Sequence, residues 1–142
     1  MIRVDLSDFS RIQATLNMLM RLGDRIAKKM ADEAYQHARD FIPVRTGRLL
    51  RSLRIERHGN EYHVVAGSRI AYYAPFVEFG TRPHIIRPRR ARVLRFEVRG
   101  KVVYARIVHH PGSRPVRYMG DALDRTLMEL DYIIADYLNI LA

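Results

Sequence analysis

Residues 43–67, with the sequence PVRTGRLLRSLRIERHGNEYHVVAG, mark the point where a helical pattern gives way to strand patterns. Pro43 ends any preceding helix, because the residue before a proline disfavours the α conformation. Upstream, residues 5–42 repeat apolar side chains at spacings near three, four and seven, the pattern of one long amphipathic helix. Just downstream, Thr46 is the predicted N-cap of a short helix over residues 47–53.

The remainder of that stretch predicts a β-hairpin. Residues 53–57 alternate apolar and polar side chains, as a strand with one buried face does. Residues 58–61 have turn chemistry, and residues 62–67 run back as the second strand.

A second hairpin is expected further along the chain. Residues 74–79 predict a helical turn ended by Gly80, and residues 85–88 a short strand or an extended arm. Residues 93–98 and 101–108 then flank a tight turn, which indicates two more paired strands.

The chain is expected to close with a loop over residues 111–115 and an amphipathic helix over residues 116–141. The order helix, hairpin, hairpin, helix predicts an α+β fold, in which one antiparallel sheet of two hairpins packs against the N-terminal and C-terminal helices. A length of 142 residues suits a single domain. Its expected parts are an N-terminal helix over 1–42, a β-rich core over 43–115 with an extended basic hairpin over 87–108, and a C-terminal helix over 116–142.

The composition narrows the class of protein. The chain has no cysteine, which excludes disulfides, cysteine zinc sites and thiol catalysis. The sequence contains no run of about 18 apolar residues, so no membrane span is predicted. The first residues lack the apolar core of a signal peptide, so synthesis in the cytoplasm is expected. The net charge of +10 suits either nucleic acid or an acidic protein surface as partner.

No catalytic pattern is evident. The sequence lacks a phosphate-binding glycine loop, a nucleophile elbow and an H-E-x-x-H motif. His109 and His110 are adjacent on a predicted strand and so point to opposite faces, which disfavours a shared metal. Glu78 and Asp121 have no partner at a spacing suited to acid–base catalysis. We therefore expect no enzyme activity, no cofactor, no metal and no small-molecule substrate.

Arginines and aromatic residues form the candidate interface. Arginine and aromatic side chains are enriched at the centres of protein interfaces. A solvated arm that blunts a sheet edge and a nucleic-acid-binding module are the alternatives. A protein partner is favoured, because no recognition helix or base-stacking platform is evident. The candidate interface residues are Tyr72, Phe76, Arg82, Arg87, Arg89, Arg90 and Arg92.

Two short motifs and three glycines complete the pattern. Gly47, Gly80 and Gly112 are each expected to supply a special backbone angle at a turn. The motifs read "P-x-x-T-G-x-L-x-x-S" and, after a strand pair, "Y-A-x-x-V-E-x-G-T". Their residues are Thr46, Gly47, Leu49, Ser52, Tyr73, Ala74, Val77, Glu78, Gly80 and Thr81.

In this order and spacing, the motifs resemble the tail-component family of tailed bacteriophages. The resemblance implies a structural protein of the virion neck, in a tail-completion, tail-terminator or head-closure role. It implies a ring of copies, commonly six-fold, at the head–tail joint between portal-side and tail-tube proteins, with the genomic DNA passing through its lumen. Neutralising the 87–92 arginines is expected to weaken assembly more than folding.

Overall fold

The computed structural model describes residues 7–139, with side chains from residue 10 onwards. The described residues form two compact units, one of residues 7–72 with 118–139 and the other of residues 73–117. Helices and antiparallel strands are both present, so the α+β class is confirmed. That the chain folds as a single domain stays a prediction.

The first helix, α1, spans Ser7–Phe41 and is 35 residues long, or about 52 Å at 1.5 Å per residue. Its C-terminal half packs against the rest of the first unit and buries Ala31 and Ala38. The amide of Ile42 still donates to the carbonyl of Ala38 at 3.0 Å, directly before Pro43. The predicted helix and its proline stop are confirmed.

The N-terminal half of α1 is not covered by any other part of residues 7–139. Every side chain from Ser10 to Met20 is exposed, although the apolar stripe continues through Ile12, Leu16 and Leu19. An amphipathic stripe shows that a helix face is apolar, but it does not show that the covering surface belongs to the same chain.

Helix α2 spans Arg48–Ser52 and begins in a different way from the prediction. Gly47, not Thr46, is the N-cap, with φ 71° and no side-chain hydrogen bond to the first turn. A left-handed residue redirects the chain into the helix without a capping side chain, and glycine adopts that conformation at little cost. The predicted cap at Thr46 is therefore wrong.

The first hairpin matches its prediction within about two residues. Strand β1 spans Arg54–His58 and pairs antiparallel with β2, Glu61–Val65. The hairpin packs against α1. A core cluster of Ala38, Leu53 and Ala122 joins this layer to the C-terminal helices, with Tyr35, Val64, Ala66 and Met119 packed around it.

The C-terminal segment is two helices rather than the single one predicted. Helix α4 spans Tyr118–Met128 and α5 spans Leu130–Asn139. The buried hydroxyl of Thr126 donates to the carbonyl of Ala122 at 2.9 Å, a contact that bends helices. The amide of Glu129 then donates to Thr126 at 3.1 Å, a tighter bond than the α-helical one. The helix breaks at this turn, without glycine or proline.

The second unit begins with α3, Ala74–Phe79, which ends at Gly80 as predicted. Four strands follow and form two separate two-stranded ladders. Strand β3, His84–Ile86, pairs with β6, Val108–His110, and β4, Leu94–Val98, pairs with β5, Lys101–Ala105. An isolated bridge joins Thr81 to Ser113.

These pairings form one long arm over residues 81–113. Residues 87–93 bulge opposite Arg106 and Ile107, because the register of β4–β5 is offset from that of β3–β6. Two corrections follow. The strand predicted over 101–108 is interrupted after β5, and the hairpins of the described residues lie in three two-stranded sheets rather than one.

Candidate interaction surface

The positive charge of the protein is concentrated in the second unit. Residues 73–117 hold ten arginines and one lysine against two glutamates, so nine of the chain's ten net positive charges lie there. The first unit is nearly neutral. Such a concentration produces a local positive potential that attracts anionic partners.

The arginines of the candidate interface lie on the surface of the arm. Arg87, Arg89, Arg90 and Arg92 lie in or beside the bulge, and Arg82 lies near the base. All five are exposed, and their guanidinium groups make no hydrogen bond or ion pair within residues 7–139. Their charge is therefore available to a partner.

The aromatic members of the candidate interface are exposed as well. Tyr72 is 75% exposed and Phe76 is 55% exposed, and the neighbouring Phe79, which was not among the candidate residues, is 78% exposed. Tyr73 is half-buried at the N-cap of α3. Large exposed aromatic side chains indicate contact surfaces rather than a core.

The first motif is structural. Gly47 starts α2, and Leu49 is buried in the first unit. The hydroxyl of Ser52 donates to the carbonyl of Leu49 at 2.6 Å and accepts the amide of Gly67 at 2.9 Å. One serine thus ties the end of α2 to the chain that leaves β2.

The second motif shapes the start of the arm. Ala74 and Glu78 are buried. The carbonyls of Val77 and Glu78, in the last turn of α3, accept the amides of Val116 and Arg117 at 2.9 and 3.1 Å. These bonds satisfy helix carbonyls that would otherwise lack partners.

Gly80 and Gly112 allow the two ends of the arm to cross. A Cβ on Gly80 would lie 2.4 Å from the carbonyl oxygen of Ser113, and one on Gly112 would lie 2.3 Å from that of Thr81. Both glycines have positive φ, at 71° and 87°. The expected special angles at Gly47, Gly80 and Gly112 are confirmed, and the close approach explains two of the three glycines.

Two histidines that are far apart in the sequence meet across the base of the arm. His84 pairs with His110 in register, and their rings stack at 4.9 Å. Nδ1 of His84 donates to the carbonyl of Arg82 at 2.8 Å, whereas Nδ1 of His110 accepts the amide of Gly112 at 3.0 Å. These bonds fix opposite tautomers in the neutral rings.

The histidine pair lines a groove of about 720 Å³. Its lining contains no carboxylate, and only two of its side chains could ligate a metal. Hydroxyls, imidazoles and a guanidinium suit a polar or anionic group. The lining residues are Phe76, Gly80, Thr81, Arg82, His84, Ile86, His110 and Ser113.

A second titratable cluster joins α1 to the C-terminal helices. Glu33, His37 and Glu129 offer ligand atoms within 4.8 Å of one another. Nε2 of His37 lies 3.0 Å from Glu129, Arg125 also bonds Glu129 at 2.9 Å, and Lys29 forms an ion pair with Glu33. Both carboxylates are thus already matched by cationic side chains, and the cluster acts as an ion-pair network. Only the spacing of Glu33 and His37 could have signalled it in the sequence.

The hydrogen bond from His37 is the main cause that holds the pKa of Glu129 below its ordinary range, with Arg125 adding to the effect.

No described helix is long and apolar enough to cross a membrane.

One family model matches the chain. It is described as "Bacteriophage HK97-gp10, putative tail-component", and it matches residues 11–80. That segment includes most of α1 and both motifs up to Gly80. No curated protein and no solved structure is significantly similar to the chain. Residues 11–80, just under half of the chain, are therefore similar to the HK97-gp10-like family, described as a putative phage tail component.

Proposed function

We propose that the protein is a structural component of the phage head–tail connector and forms a ring, six-fold in the assembled virion, at the head–tail joint. The match of residues 11–80 to a family of tail components supports a structural role in the virion. The same role accounts for the expected absence of enzyme activity, which remains part of the proposal.

The exposed surfaces of the molecule support the more specific proposal of a connector ring. One small chain carries a helix half that the described residues leave exposed, exposed aromatic residues, and an arm whose arginines make no ion pair within residues 7–139. A subunit with several such surfaces can contact more than one neighbour, and head-to-tail contacts that close by rotation produce a ring. Adjacent portal-side and tail-tube proteins are the further partners that we propose.

The arginines are proposed to face neighbouring proteins rather than the lumen. DNA must slide through a connector, and a lumen lined with arginines would bind its phosphates strongly. Neutralising residues 87–92 should therefore reduce assembly. Since the guanidinium groups of this cluster make no bonds within residues 7–139, folding should be preserved.

The experiment is an amber mutation in the gene, in the phage or prophage that encodes the chain. We expect filled heads and separate tails without suppression, joined infectious particles with suppression, and about six copies of the protein per purified virion. Infectious particles of normal yield that lack the protein would refute the connector role. The neighbouring ring that it contacts distinguishes completion, terminator and head-closure roles.

A nucleic-acid-binding module is the second candidate, and the +9 charge of residues 73–117 is the observation that favours it. It predicts DNA binding by the purified subunit that weakens steeply as salt is raised. Tight, salt-sensitive binding with no defect in head–tail joining would favour this candidate over the connector.

A further inference from the structure

The tip of the arm is a two-stranded ribbon without a third strand. Strands β4 and β5 pair only with each other in the described part of the chain. One face of the ribbon is fully exposed and contains Arg95, Glu97, Val102 and Tyr104. Tyr104 is 64% exposed. An isolated two-stranded hairpin is marginally stable in water, so this apolar surface needs a cover.

The cover must also supply negative charge. The ribbon and its turn carry Arg95, Arg99 and Lys101, and Arg106 follows directly. None of these side chains makes an ion pair within residues 7–139. Glu97 is the one acidic residue of the ribbon. A suitable partner therefore combines apolar side chains with carboxylates.

The same chain carries a surface of that kind on α5. Residues 118–142 hold five acidic residues and one arginine, the reverse of the charge balance on the arm. Along α5, Asp131, Tyr132, Ala135 and Asp136 follow one another at helical spacing and are all exposed. We call these four residues the acidic face.

The acidic face has no cover in the described chain. Tyr132 is 76% exposed, and neither Asp131 nor Asp136 makes an ion pair within residues 7–139. The opposite side of α5 is occupied, since Ile133 is buried and Tyr137 lies 5.1 Å from the guanidinium of Arg25 on α1. One side of α5 therefore packs within the first unit, and the acidic face on the other side is exposed.

We propose that the arm tip, residues 94–105, docks on the acidic face of a second copy of this chain. The inference rests on the proposed ring, and it names the contact that builds it. The two surfaces differ and each copy carries both, so the contact is head-to-tail, and it builds the proposed ring when its rotation closes. A second copy fits better than DNA, because phosphates would satisfy the arginines but leave Val102 and Tyr104 uncovered.

Disulfide cross-linking between two preparations of the protein, each with one introduced cysteine, tests the contact. The chain has no native cysteine, so Glu97→Cys in one preparation and Ala135→Cys in another can report docking as a disulfide-linked dimer. The matched control replaces Ala135→Cys by Asn60→Cys, at an exposed turn of the β1–β2 hairpin. We expect the arm-to-face pair to cross-link at least about tenfold faster than the control pair.

Reversal variants then separate attraction from random collision. Arg95→Glu with Lys101→Glu reverses the arm, and Asp131→Arg with Asp136→Arg reverses the acidic face. Either reversal alone should slow cross-linking about tenfold, because like charges then oppose each other. The reversed arm paired with the reversed face should return to within about twofold of the original rate, which an unspecific effect of either change would not produce.

Two results would overturn the docking proposal. One is an arm-to-face rate no higher than that of the Asn60→Cys control, and the other is a doubly reversed pair that stays as slow as each single reversal. If arm reversal instead abolishes salt-sensitive DNA binding and leaves cross-linking unchanged, the arm binds nucleic acid. The connector role is judged separately, on amber-mutant particles, so either idea can fail alone.

Discussion

Replacing Gly80 by alanine should open the base of the arm. The residue has φ 71° and ψ −175°, a conformation that only glycine adopts readily. The added Cβ would lie 2.4 Å from the carbonyl oxygen of Ser113, well inside the 3.4 Å at which ordinary contact begins. That oxygen belongs to the backbone, so a side-chain rotation cannot relieve the clash.

The cost follows from these two terms. Holding a non-glycine residue in this conformation costs about 1–3 kcal/mol. Relieving the clash moves the backbone by about 1 Å, which breaks both hydrogen bonds between Thr81 and Ser113, now 3.0 Å each, at about 1 kcal/mol per bond. The expected loss is roughly 3–5 kcal/mol in the opening free energy of this crossing.

Amide hydrogen exchange by NMR measures that opening residue by residue. We expect protection of the Thr81 and Ser113 amides to fall by a factor of about a hundred to several thousand, or to vanish. The matched control is Gly100→Ala, which also has positive φ, at 78°, but whose Cβ would meet nothing within 4 Å. It should cost only about 1 kcal/mol, confined to the β4–β5 hairpin.

The reasoning fails if Gly80→Ala leaves the two amides as protected as in the original protein. It also fails if the Gly100 variant exposes them as much as the Gly80 variant does, since the clash would then have no role.

Three further predictions concern the first unit and can be checked by urea unfolding followed by circular dichroism. Gly23→Ala should raise the free energy of unfolding by about 1 kcal/mol, because alanine is the better helix former and the new Cβ meets nothing within 4 Å. Ser52→Ala should lower it by about 1–3 kcal/mol, since the Gly67 amide loses its acceptor. For Glu129, the folded pKa lies below the ordinary value of 4.5, so its contribution is present above that pH and is lost as pH falls below it. Glu129→Gln should therefore lower the free energy of unfolding at neutral pH and make that free energy fall less as the pH is lowered. His37→Ala should produce a smaller change of the same kind.

Each of these predictions has its own control. Gly59→Ala, at φ 63°, should destabilise where Gly23→Ala stabilises, although neither site is crowded. Thr15→Ala, at an exposed hydroxyl that donates to the Arg11 carbonyl and accepts no backbone amide among the described residues, should cost less than Ser52→Ala. Glu97→Gln, at a glutamate without an ion pair in the described residues, should lower stability at neutral pH less than Glu129→Gln does. Equal behaviour of variant and control would contradict the corresponding argument.

The local elements of the fold could be predicted from sequence. The stripe of α1 and its stop at Pro43 predicted the helix and its C-terminal end within about one residue, whereas the predicted start at residue 5 lies outside the described residues. The hairpin over β1 and β2 followed from alternation and turn chemistry. Gly80 as the end of α3 followed in the same way. In each case the signal lies within a few residues of the element that it determines.

The errors have non-local or unsignalled causes. Pairing of His84 with His110 depends on where the arm folds back, which no local pattern encodes. The break between α4 and α5 lies three residues after Thr126, whose buried hydroxyl bonds the Ala122 carbonyl, and threonine is common in uninterrupted helices. The bulge over residues 87–93 was not predicted either, although its arginines were chosen from the sequence as candidate interface residues.

The sequence indicated which kinds of residue form the candidate interface, but it did not indicate the surface that they contact. Exposed aromatic and arginine side chains in the second unit agree with the residues chosen from sequence, and their role in assembly stays a prediction. The acidic face was not singled out from the sequence, because Asp131 and Asp136 on an amphipathic helix look like an ordinary solvated side. A role for them is proposed only because Arg95, Arg99, Lys101 and Arg106 of the arm make no ion pair within residues 7–139.

The most direct test of the connector proposal is a cryo-electron microscopy map of the intact virion neck, from the phage or prophage that encodes this chain. We predict density for the chain as a closed ring between portal and tail tube, with each arm extending to the next copy. A well-resolved neck in which every ring is accounted for by other proteins would contradict the account.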